Sequence, residues 1–105
     1  MSYGSIKQNA GNRDFKLSDE DWLQLSDSLD NVYDNLTKRI LNLANLNPTE
    51  LRVVYLLKMG VQPADMATIL CKSKSAVTMI RNRMYKKIFG KSGTATALDE
   101  YIQNF

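Results

Sequence analysis

Histidine is absent from this 105-residue chain, and cysteine occurs once, at Cys71. One cysteine closes no disulfide within the chain, and one cysteine without histidine builds no zinc site. The usual general base is missing, and Cys71 has no catalytic partner near it in sequence. No glycine-rich phosphate loop is present. An enzyme is therefore not expected, and neither a cofactor nor a metal is expected. No run of about 18 apolar residues exists, which excludes a membrane-spanning helix by this criterion. Residues 1–12 are polar and lack the apolar core of a secretion signal. A reducing cytoplasm fits these features.

Negative charge is missing from one stretch in particular. Residues 71–91 hold Lys72, Lys74, Arg81, Arg83, Lys86, Lys87 and Lys91 and no Asp or Glu. Residues 1–45 carry five basic and seven acidic side chains, whereas residues 46–105 carry nine and four. An acidic half beside a basic half points to an anionic partner at one face only.

What is present is helical in period. Residues 1–17 show no pattern and are expected to be a disordered lead, such as the cut end of a longer protein would form. Ser18 is a helix cap followed by Asp19, Glu20 and Asp21 at the positive end of the dipole. Apolar residues then recur at Trp22, Leu25, Leu29, Val32, Leu36, Ile40 and Leu43, a seam that predicts one long amphipathic helix over residues 18–45. It can pack on the rest of the chain, pair with its copy, or transmit a signal from upstream.

A second start follows at Asn47, with Pro48 in the first helical position and Glu50 able to close a capping box. Leu51, Val54 and Leu57 share a face that Val53 and Leu56 widen, and Gly60 ends the helix. Pro63 opens a short helix over residues 63–70, Cys71 and Lys72 form a turn, and Ser73 caps a helix running to Phe89. Gly90 stops it. Thr94 caps a last helix with Leu98, Tyr101, Ile102 and Phe105 apolar. The prediction is an all-α chain of five helices, with a helix-turn-helix domain over residues 46–105.

Leu46, Pro48, Glu50, Val53, Leu56, Leu57, Gly60, Ala67, Leu70, Ser73, Val77, Met84, Lys87 and Ile88 follow a known pattern. Residues 46–105 resemble the LuxR-type (GerE-like) DNA-binding domain. The segments Lys86-Lys87-Ile88-Phe89-Gly90 and Leu98-Asp99-Glu100-Tyr101-Ile102 are similar to a subgroup from Bacteroides-type bacteria. There the domain often ends a longer, membrane-tethered regulator. Departures are Asn47, Gln62, Met66 and Ala76; Gln62 replaces a capping Ser or Thr. The resemblance implies a bacterial transcription regulator, with double-stranded DNA as partner and RNA polymerase or an upstream sensory domain as further partners.

On the basic helix, Val77, Ile80, Met84 and Ile88 are expected to face the core. Thr78, Met79 and Asn82 are then expected at base edges: Asn82 on adenine, Met79 on a thymine methyl, Thr78 on several bases. Lys72, Ser73, Lys74, Ser75, Arg81, Arg83, Lys86 and Lys87 are expected on phosphates. Glu50 is expected to cap or to pair with Arg81 or Arg83. Binding as a homodimer is expected, through the long-helix seam or, as the resemblance implies, through Leu98, Tyr101 and Ile102. The competing reading is a protein–protein module of sigma-factor or adaptor type, since this architecture alone does not establish DNA binding.

Overall fold

The computed structural model describes residues 16–105 and contains six α-helices and no strand among them. They are α1 (Asp19–Val32), α2 (Leu36–Leu43), α3 (Pro48–Lys58), α4 (Pro63–Ile69), α5 (Lys74–Phe89) and α6 (Ala95–Gln103). The expected lead lies outside the described residues apart from Lys16 and Leu17, and Leu17 packs against the core.

The expected long N-terminal helix is two helices. The chain turns at Asp34 and Asn35, whose φ values are +51° and +57°. Asp and Asn are the L-residues that enter this left-handed region most readily. The Asn35 N–H donates back to the Asp30 carbonyl at 2.8 Å, a bond that closes the end of α1. The Asp30 carboxylate then accepts from the Thr37 N–H and from its hydroxyl, each at 2.8 Å, and so satisfies a free donor at the start of α2. Arg39 donates to the Tyr33 and Asp34 carbonyls and binds the turn from the other side. The seam bends with the backbone. Trp22, Leu25, Leu29, Leu36 and Ile40 are buried, but Val32 and Leu43 are 69% and 41% exposed.

The other start and stop signals act as their chemistry dictates. Ser18, Asn47, Ser73 and Thr94 each accept a hydrogen bond from the backbone N–H three residues on. At Ser18 and Asn47 the box is reciprocal, closed by Asp21 and Glu50. Gln62 makes no side-chain cap, so α4 starts on Pro63 alone.

Helix α3 is the centre of the molecule. Val53, Val54, Tyr55, Leu56 and Leu57 are all buried, which is the signature of a helix covered on every side. Helices α1, α5 and α6 pack on it. Buried residues of both sequence halves form one hydrophobic cluster. Tyr55 is buried too, and its hydroxyl lies 2.8 Å from Thr37 Oγ1, which joins α3 to the α1–α2 turn. Two cations fasten that turn to the end of α6. Arg39 lies 4.8 Å from the Phe105 ring, and Lys58 lies 4.5 Å from the Tyr33 ring while donating to the Gln103 carbonyl.

Candidate nucleic-acid interface

Helices α4 and α5 are joined by a short turn at residues 71–73 and pack on each other. Two backbone bonds shape the turn: the Cys71 N–H donates to the Thr68 carbonyl and the Lys72 N–H to Ala67. That geometry needs a left-handed residue, and Cys71 supplies it at φ +56°. The thiol is exposed. At 16 residues α5 is about 24 Å long, enough to cross a major groove.

One face of α5 is committed to the core. Val77 and Met84 are buried, and Ile80 and Ile88 pack against the same cluster half-buried. The opposite face carries Ser75, Thr78, Asn82, Arg83 and Lys86, all exposed, with Met79 at 53%. Thr78 Oγ1 donates to the Lys74 carbonyl at 3.1 Å, leaving its lone pairs outward. Lys72, Lys74 and Lys91 are exposed at the two ends of the helix. Arg83, Lys86 and Lys87 line a shallow cleft of about 330 Å³.

Two cations expected on phosphates are engaged elsewhere. Arg81 is only 6% exposed and turns inward to Asp99 on α6, with Nε 2.9 Å from Oδ1 and Nη2 2.5 Å from Oδ2. This planar, two-bond geometry is the strongest form of the arginine–carboxylate contact. Lys87 donates to Glu50 at 2.6 Å and to the Asn45 carbonyl at 3.2 Å. Glu50 is thus both cap and ion-pair partner, but the partner is Lys87 rather than Arg81 or Arg83. The signal for Arg81 was in the spacing. It lies four residues after Val77 and three before Met84, and so falls on the buried stripe. The signal for Asp99 was absent, because it sits 18 residues away in sequence.

The face left open is therefore cationic and uncompensated. Among the described residues no carboxylate pairs with Lys72, Lys74, Arg83 or Lys86. No group of three His, Cys, Asp or Glu side chains among them is disposed to hold a metal ion. No helix among the described residues is long and apolar enough to cross a membrane. Comparison with protein-family models, with curated proteins and with solved structures finds no match.

The residues expected at a dimer contact are mostly interior. Leu98 and Ile102 are fully buried between α6 and the helices beneath it, as are Leu29, Leu36 and Ile40 of the N-terminal seam. Of the α6 set only Tyr101 reaches the surface. It belongs to a row of rings, Tyr85 to Phe89 at 4.5 Å, Phe89 to Tyr101 at 4.9 Å and Tyr101 to Phe105 at 5.9 Å. These rings, with Ala97, Glu100 and Asn104, line an open cleft of about 560 Å³.

Proposed function

We propose that this chain is the DNA-reading part of a transcription regulator, with α5 entering the major groove. The observation that carries this reading is the sorting of charge on α5. Buried Arg81 is matched by Asp99 and exposed Lys87 by Glu50, while Lys72, Lys74, Arg83 and Lys86 face solvent with no carboxylate paired to them. An unopposed positive face raises the local concentration of an anionic partner and steers its approach. Met79, an exposed apolar residue in the middle of that face, fits a thymine methyl better than it fits water. The resemblance of residues 46–105 to the LuxR-type domain supports the same assignment.

In this reading Thr78, Met79 and Asn82 contact base edges. Lys72, Ser73, Lys74, Ser75, Arg83 and Lys86 contact phosphates, and Arg81 and Lys87 leave the set. Ser73 serves through its backbone at the start of α5, since its side-chain oxygen already accepts from Ala76. Two-fold-related half-sites would be bound by two copies.

The experiment is titration of labelled random-sequence duplexes with the chain at several salt concentrations, followed by sequencing of the retained pool. Affinity falling linearly in log–log form, and a recovered consensus, are the expected results. In that consensus Asn82→Ala costs roughly 1–3 kcal/mol at one base pair and relaxes the choice there. Equal weakening on every sequence would remove Asn82 from the base-reading set. The second reading, a protein–protein module, draws on the aromatic cleft beside α6. It gains if the folded chain ignores duplexes at low salt.

A further inference from the structure

The chain has seven basic residues between 71 and 91, yet not all of that charge is offered to a partner. Arg81 lies on the buried stripe of α5, on the side next to Thr78. Thr78, one turn earlier, and Asn82, next in the chain, are both exposed, so a short swing of the Arg81 side chain would bring its guanidinium to the DNA-facing surface. What holds it inside is Asp99. The pair is closed by two hydrogen bonds, with side-chain exposures of 7% for Arg81 and 14% for Asp99. No buried side-chain nitrogen or oxygen among the described residues lacks a partner, so Asp99 is what satisfies this guanidinium.

We propose that Asp99 is a positioning residue that withholds Arg81 from the DNA backbone and thereby sets how many phosphates each chain neutralises. The inference rests on the DNA-binding reading of α5. Physically, a guanidinium buried without a counter-charge is expensive, and the cheapest escape is rotation into solvent. A cation released on this side joins Lys74 and Arg83 in the phosphate set. Asp99 thus limits the sequence-independent part of the affinity, the part that competes with operator choice.

The test compares salt dependence on one random-sequence duplex. In Asp99→Asn the shape is kept and the charge removed. The log–log salt slope is expected to steepen by about 0.9 per chain, and affinity near 0.15 M salt to rise roughly fivefold. A merely structural role would lower affinity and leave the slope unchanged or shallower, and that result overturns the proposal. The second variant, Arg81→Met with Asp99→Leu, replaces the pair by apolar residues of similar size, an exchange that buried pairs often tolerate. It is expected to keep the slope of the parent chain. A slope shallower by about 0.9 would mean that Arg81 already reaches a phosphate, which also overturns the proposal. If Asp99→Asn does not fold, Asp99→Leu with Arg81 kept takes its place, with the same steepening expected and an unchanged or shallower slope overturning the proposal. A parent chain that binds no duplex at low salt removes the DNA reading itself, and the inference falls with it.

Discussion

Cys71 holds a backbone conformation that suits glycine. Its φ of +56° lets the Lys72 and Cys71 amides close the end of α4, and its side chain is exposed. A left-handed L-residue carries a steric penalty of roughly 1–2 kcal/mol, offset in a glycine variant by the greater freedom of the unfolded chain. Cys71→Gly is therefore expected to stabilise the chain by about 0.5 kcal/mol, read as a higher urea midpoint at unchanged slope. Gly93 shows the opposite constraint. A Cβ there would lie 2.1 Å from Tyr85 Cε1, so Gly93→Ala has to push the Tyr85 ring off Phe89. Arg81 is the third instructive residue: by type it belongs to a surface, and by position to a core.

At the scale of elements, the α1–α2 corner depends on one carboxylate. Asp30 serves two donors of Thr37, which in turn bonds Tyr55 on α3. Asp30→Ala leaves the Thr37 amide without its partner and is expected to cost about 1–2 kcal/mol in chemical denaturation. A loss below a few tenths would mean that water replaces the carboxylate without penalty. The start of α1 carries a pH dependence. Hydrogen bonds from Ser18, the backbone N–H first and the side chain second, hold the Asp21 carboxyl below the ordinary carboxylate range. A carboxyl lowered in the folded state adds stability above the unfolded value and loses it as pH falls through the folded one. Asp21→Asn is thus expected to lower the melting temperature near neutrality, to converge with the parent at low pH, and so to flatten the acid limb of the profile. An acid limb of undiminished steepness would show that the box contributes nothing.

At the scale of the whole molecule, the described helices share one hydrophobic cluster. Leu29, Leu36 and Ile40 are fully buried in the same cluster as Val53, Leu56, Met84 and Leu98. Trp22 lies under Arg52, whose guanidinium is 4.9 Å from the ring, and Arg39 reaches the last carbonyl, that of Phe105. A fragment of residues 46–105 would uncover one side of α3 and lose the contacts of Arg39 with Phe105 and of Tyr33 with Lys58. It is expected to show no cooperative thermal transition where the 105-residue chain shows one. A fragment melting within a few degrees of the parent would mean that α1 and α2 are an appendage.

Much of this was determined by local chemistry and could be read from the sequence. Caps at Ser18, Asn47, Ser73 and Thr94, the stop at Gly60 and the short α4 behind Pro63 depend only on neighbours a few residues away. The outward face of α5 follows from the same local rule, since the spacing of Val77 and Met84 leaves Thr78, Met79 and Asn82 on the other side. What tertiary structure alone decided are the matters that need a distant partner. The apolar period ran unbroken through Asp34 and Asn35, because a 3.6-residue pattern reports which residues seek burial and not whether the helix bends on the way. Bending lets α1 and α2 both lie on the core, which one straight rod cannot do for so small a body. In the same way a run of cations does not say which of them are already answered. Asp99 and Glu50 come to Arg81 and Lys87 only through folding, and the charge that remains outside is the difference.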